Sequence, residues 1–283
     1  MKHSGRDGKI GGNGQSRDES VAQCRKNPKM IRMNRNLTSL YFVAFVVLAW
    51  TTPIRADVAA VPLPTTVYEN LQAGKKQTVI AYGTSLTHQG AWTGDIGRFF
   101  TTQFPDQVTF KNAAQSGKNS KWALANFEER VLAHRPDLVL IEFSINDAVT
   151  RGEISLEESK ANLDKMVQAL RQQNPKVDIV LQTMNPVWDS PKKASASERP
   201  NLEAYYEVYR SYAREHSLPL VDNYVVWRAM QKDEPERFQK VVPDGTHPNN
   251  SASLWVTGRA VKELLKKARD AAIPKSSGAS GKG

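Results

Sequence analysis

From about Gln77 onward, the spacing of apolar positions alternates between two periods. Residues 78–82 (TVIAY) form a short β-rich apolar run, closed by Gly83. In residues 90–104 the apolar set Trp92, Ile96, Phe99 and Phe100 recurs at helical spacing. Val108–Asn112 (VTFKN) reads as a second strand. Residues 121–134 read as one helix, with Trp122, Leu124, Phe127, Val131 and Leu132 as its apolar set. Residues 138–143 (LVLIEF) are a nearly unbroken apolar run, the pattern of a strand covered on both faces. Residues 155–173 are a predicted helix that opens with Ser155 and Glu158 at capping-box spacing. A fourth strand at 179–182, a helix at 201–216, a short fifth strand at 218–221 and a closing helix at 251–269 complete the pattern.

Strands separated by helices predict an α/β fold, a parallel sheet covered by helices on both faces. Sheets of this kind bind ligands beyond the carboxyl ends of their strands. Reactive residues are therefore expected just after strands. Residues 192–200 (KKASASERP) are the one polar insertion that reads as mobile.

The flanks differ in character. Residues 1–32 are polar, glycine-rich and without periodicity, and read as disordered. Residues 33–56 read as a signal peptide: Arg35 precedes the uncharged run 37–50 (LTSLYFVAFVVLAW), and Ala56 offers a small residue at the cut. Met33 or Met30 would then be the initiator, and the protein would be secreted or periplasmic. The alternative is an anchor formed by residues 37–50, although a membrane span needs about 20 residues. Residues 57–76 are expected to be a linker, 77–270 the folded domain and 271–283 a flexible tail. Membrane contact is expected only through the signal segment.

Charge then changes meaning. The 283 residues carry a net +10, which alone would suggest a nucleic-acid partner. Residues 1–36 hold nine Lys/Arg against three acids, whereas 57–270 hold 27 basic against 26 acidic residues. The expected domain is near neutral, so no nucleic-acid partner is predicted. Cys24 is the only cysteine, which excludes an internal disulfide and a cysteine-rich zinc site. No two histidines stand at i, i+4, and neither a metal nor a cofactor is indicated.

Four short segments carry candidate chemistry. Gly83-Thr84-Ser85-Leu86-Thr87 follows the first strand, where Ser85 is a candidate nucleophile if a base takes its proton; a helix cap would explain it equally. Ser116-Gly117-Lys118-Asn119-Ser120 follows the second strand, and Gly117 can expose its N–H to a ligand. Ser144-Ile145-Asn146-Asp147 follows the third strand; its Asn146 amide can donate to a developing oxyanion, or the segment is a simple turn. Asp244-Gly245-Thr246-His247 precedes the last helix, at a spacing that lets Asp244 hold the histidine's Nδ1 and leave Nε2 free. Asp147 and Asp222 lack that spacing to a histidine. Trp188, just after the fourth strand, is a candidate for stacking on a sugar ring or a loop anchor, and His88 a candidate substrate contact or a solvated loop residue.

In order and placement these segments resemble the four blocks of the SGNH hydrolase superfamily (GDSL-like esterases and acylhydrolases) over residues 77–268. Thr84 stands where the family usually has aspartate, and Ser144 where it usually has glycine. The resemblance implies a flavodoxin-like three-layer sandwich around a five-stranded parallel sheet. It implies acyl transfer from an ester by Ser85, with His247 as base and Asp244 orienting it. The oxyanion would be held by the Ser85 and Gly117 N–H groups and the Asn146 side chain. The expected substrate is a small ester or an acylated extracellular carbohydrate. A lysophospholipase or thioesterase-like acylhydrolase and a non-catalytic carbohydrate-binding protein are the alternatives.

Overall fold

The structure, a computed structural model, describes residues 61–273. Segments 1–32 and 33–56 and residues 274–283 lie outside them. Seven strands occur among the described residues: β1 (Gln77–Gly83), β2 (Val108–Asn112), β3 (Leu138–Glu142), β4 (Asp178–Thr183), β5 (Asp189–Ser190), β6 (Lys193–Ala194) and β7 (Leu220–Asp222). Five of them form a parallel sheet in the order β2-β1-β3-β4-β7. The sheet reverses direction of growth at β1, so the ends of β1, β2 and β3 open onto one crevice.

Alternation along each strand divides the core in two. Val79, Ala81, Leu138, Leu140 and Val180 face one side. There they meet Tyr68 and Leu71, Ile96 and Phe100, and Leu264 and Leu265 from helices Thr66–Gln72, Ala91–Gln103 and Arg259–Ala272. Ile80, Tyr82, Val139, Ile141 and Leu181 face the other side. There they meet Leu163, Met166 and Leu170 of helix Leu156–Gln173 and Tyr209 and Tyr212 of helix Leu202–Glu215. The central strand β3 is buried along its whole length. Each such aliphatic side chain contributes roughly 1.5–3 kcal/mol by leaving water.

A third, separate core joins Trp227, Met230, Phe238, Val242, Ala252 and Val256. It comes from helices Asn223–Asp233 and Pro235–Val241 and from the wide helical turn Ser253–Gly258. Val242 of this core opens the segment 242–249, and Trp188 packs against the core.

Three expectations need correction. The linker 57–76 contains helix Thr66–Gln72, whose Val67, Tyr68 and Leu71 are buried; the Val67 N–H donates to Asp178 Oδ2 at 2.7 Å. The single helix expected at 121–134 is three short pieces, because Asn126 (φ −112°, ψ 10°) and Val131 (φ −123°, ψ −64°) both leave the helical region. The insertion 192–200, expected to be a mobile loop, is folded onto the domain. β5 and β6 pair as a small antiparallel ladder, Ser195 and Arg199 are buried, and Asp189 accepts from the Ala196 and Ser197 N–H groups.

Candidate active site

Parallel register sets the first half of the site. Gly83 of β1 lies opposite Glu142 of β3, and the chain turns there into the short helix Ser85–His88. A Cβ at Gly83 would overlap Glu142 Oε1, so only glycine fits. Glu142 is fully buried. Its Oε1 accepts the Thr84 N–H at 2.6 Å, the Thr84 hydroxyl at 2.9 Å and the Thr87 hydroxyl at 2.7 Å. Burial pushes the Glu142 carboxyl up to about 7, although the Thr87 and Thr84 donors pull the other way. Thr84 also caps the helix, accepting from the Leu86 N–H at 3.2 Å. Ser85 is thus presented by a turn bound on its underside to a buried acid.

The second half is the turn 242–249. Gly245 adopts φ +81°, and a Cβ there would strike the Trp188 carbonyl. Trp188 N–H bonds Gly245 O at 3.1 Å, Asn185 Nδ2 donates to Thr246 O at 2.9 Å, and the Ser195 hydroxyl meets Thr246 Oγ1 at 2.7 Å. Within the turn, Asp244 Oδ1 accepts the N–H groups of Thr246 at 2.9 Å and His247 at 2.7 Å, and Oδ2 lies 2.6 Å from His247 Nδ1. Partial burial alone would raise the Asp244 carboxyl. The His247 N–H and ring and the Thr246 N–H outweigh it and bring the pKa down to about 2.

The halves meet where Ser85 Oγ lies 2.7 Å from His247 Nε2. With Nδ1–H given to Asp244, Nε2 is left to accept from the serine hydroxyl. A hydroxyl so placed can lose its proton to the imidazole as it attacks an electrophile.

Asn146 and Gly117 join them. Asn146, on the short helix Ser144–Asp147, donates from Nδ2 to Lys118 O at 2.9 Å. Arg199 Nη2 lies 3.4 Å from its Oδ1, which fixes which end of the amide is the donor. Asp147 ties the same helix to the Gly117 loop, accepting the Ser120 N–H at 2.8 Å and the Ser159 hydroxyl at 2.6 Å. Asp222 pairs instead with Arg210 and Thr183. Ser144, in its glycine-like position, leaves a buried hydroxyl without a partner, yet Asn146 still reaches the cavity.

Two cavities share Ser85, Gln89 and His247. One, of about 380 Å³, is lined also by Gly117, Asn119, Asn146, Arg151, Lys193 and Arg199. The other, of about 140 Å³, is lined by Leu86, Trp92, Met184, Asn185 and Thr257 among others, and holds no Lys, Arg, Asp or Glu. Neither Trp188 nor His88 lines either one. The Trp188 indole donates to Val242 O at 2.7 Å and packs on the third core, so it braces the histidine turn away from the lining of both cavities. His88 is exposed and bonded through Nδ1 to Ser116 Oγ at 2.9 Å. Sequence reasoning missed Glu142, Lys193 and Arg199. A single acid inside the apolar run LVLIEF was the one available signal. Among the described residues, no cluster of three or more His, Cys, Asp or Glu could hold a metal.

Comparison with known proteins gives a consistent picture. A model of the GDSL-like Lipase/Acylhydrolase family matches residues 80–253. The arylesterase of Vibrio mimicus is 26% identical over 159 residues, 56% of this chain and 71% of that protein. The isoamyl acetate-hydrolyzing esterase 1 homolog of Mus musculus is 26% identical over 187 residues, 60% and 74% of the two chains. Among solved structures, a catalytic mutant of an acetylxylan esterase from Geobacillus stearothermophilus superposes with a TM-score of 0.56 at 20% identity, covering 68% of this chain and 94% of that one. A lipase/acylhydrolase from Enterococcus faecalis gives 0.56 at 21% identity, covering 70% and 98%. These structural likenesses speak to the fold.

Proposed function

The chain belongs to the GDSL-like lipase/acylhydrolase family and is an ester-bond hydrolase, and from that premise we propose that Ser85 is its nucleophile, His247 its general base and Asp244 the group that orients the imidazole. One observation carries the reading: a hydroxyl and an imidazole 162 residues apart in sequence lie 2.7 Å apart, and the other ring nitrogen lies 2.6 Å from a carboxylate. Ser85 Oγ attacks the ester carbonyl carbon as its proton passes to His247 Nε2. Negative charge moves to the carbonyl oxygen, which the Ser85 and Gly117 N–H groups and Asn146 Nδ2 receive. The C–O bond to the alcohol breaks, and His247 returns the proton to that oxygen. Water, deprotonated by the same nitrogen, then releases the acid and restores Ser85.

The preferred acyl group in this reading is small. The uncharged cavity of about 140 Å³ beside Ser85 suits a short acyl chain and leaves little room for a long one, which disfavours the lysophospholipase alternative. The likeness to an acetylxylan esterase favours acetyl groups on carbohydrate. The test is hydrolysis of p-nitrophenyl acetate by Ser85→Ala against the parent protein. A loss of about 10⁴-fold or more in kcat is expected, with unchanged thermal stability. Equal rates would remove Ser85 from the reaction.

A further inference from the structure

The two cavities beside Ser85 differ in charge, and the difference bears on the substrate. Arg151, Lys193 and Arg199 line the larger one, and no Asp or Glu does. Glu198 stands 2.9 Å from Arg151 Nη1 and 3.6 Å from Arg199 Nη1, so one carboxylate offsets two guanidinium groups. Arg199 is already committed to the scaffold. Its Nε donates to Ile145 O at 2.9 Å, Nη1 to Ser195 O at 3.1 Å, and Nη2 lies 3.4 Å from Asn146 Oδ1.

Lys193 is not committed in this way. It is half-buried, and its Nζ makes a 3.3 Å hydrogen bond to Thr246 Oγ1, beside His247. Among the described residues it has no salt bridge. Asp244 and Glu198 act on it only from beyond ion-pair distance, so an ammonium that has lost part of its water carries a cost, which an anion arriving with the substrate reduces. Burial, joined by the Arg199 charge, lowers the Lys193 pKa, although the Asp244 and Glu198 carboxylates pull the other way. The neighbouring cavity has no ionic side chain apart from the shared histidine, so the excess positive charge lies on one side of Ser85 only.

We propose that the larger cavity is an anion subsite, in which Lys193, backed by Arg151 and Arg199, binds a carboxylate or similar monoanionic group carried by the ester substrate. The proposal rests on the hydrolase reading above and adds the substrate class to it. With the acyl chain in the smaller cavity the anion sits on the alcohol side of the ester, and two probe pairs separate that placement from an anion on the acyl side. On the alcohol side, 4-acetoxybenzoate is compared with its neutral methyl ester. On the acyl side, the 4-nitrophenyl monoester of succinic acid is compared with 4-nitrophenyl butyrate.

The readout is the ratio of kcat/KM for the charged over the neutral member of each pair. In the parent protein one pair is expected to favour the anion, and less so as salt is raised. Lys193→Met should lower that ratio about tenfold, and Lys193→Arg should largely restore it. Lys192→Met, an exposed neighbour outside the cavity lining, should leave the ratio where it was. Ratios near one for both pairs in the parent protein, or a ratio unmoved by Lys193→Met, would overturn the anion subsite while Ser85-dependent hydrolysis of the neutral esters continued. Absence of that hydrolysis would instead remove the hydrolase reading, and the subsite with it.

Discussion

Glu142 and Asp244 hold the two halves of the site with the same device, a carboxylate accepting backbone and side-chain donors, but in opposite surroundings. Glu142 lies in the sheet beneath the serine turn, away from water, and its carboxyl is pushed up to about 7. Asp244 lies at the rim, partly solvated, and is held down at about 2. On the mechanism proposed above, the comparison teaches that the histidine half needs a permanent charge, since Asp244 would stabilise the imidazolium formed during the reaction. The serine half needs only acceptors that fix a turn.

The largest expected break in this comparison is Asp244→Asn. It retains size but no longer holds Nδ1–H in place, and kcat should fall about 10⁴-fold with little loss of folded protein. Turnover on p-nitrophenyl acetate, with circular dichroism as a control, checks it; a loss under tenfold would mean that another group orients His247. Asn146→Ala comes next. It touches neither carboxylate and removes one donor to the oxyanion, so kcat should fall by about 10²–10³-fold with KM little changed. A change in KM alone would mark Asn146 as a ground-state contact.

Glu142→Gln sharpens the contrast with the smallest loss in turnover, about 10-fold, through slackening of the Thr84 turn. Its larger signature is in stability. A carboxyl whose folded pKa is raised from 4.5 to about 7 keeps its proton in the folded state after the unfolded chain has released it. Stability therefore falls as pH rises from about 4.5 to about 7, by up to ~1.4 kcal/mol per pH unit for such a group. Asp178, pushed up to about 7 by burial under helix Thr66–Gln72, adds a slope of the same sign. Asp244 acts in reverse: its contribution is present above about 3.8 and is lost as pH falls toward about 2. Urea midpoints measured from pH 4 to 8 should show a shallower decline in Glu142→Gln than in the parent protein. Parallel curves would mean that Glu142 does not titrate in that range.

How much of this was legible in the chain follows from the range of the forces involved. Strand period and helix period are local, so all five strands of the main sheet and the helices at 91–103, 156–173 and 202–215 could be read with ends off by a residue or two. Ser85, Asn146, Asp244 and His247 were legible because each lies in a short segment beside a strand or helix end. Glu142 was hidden because its role depends on register between β1 and β3, which no local pattern encodes. Lys193 and Arg199 sat in a stretch whose polar composition resembles a solvated loop; its order comes from nearby Asp189 and from contacts to Thr246 and Ile145, 53 and 54 residues away. Trp188 misled for the same reason. Its position after β4 was right, but the direction of its ring is set by the Val242 carbonyl.

The separate core of Trp227, Phe238 and Val242 has a consequence for how this enzyme would fail on warming. The serine turn is anchored in the central sheet, whereas the histidine turn rests on a small cluster with no strand of that sheet in it. Regions with fewer buried neighbours open at lower free energy than the whole. Inactivation would then begin as a local melting around the imidazole, while far-ultraviolet dichroism still reports an intact sheet.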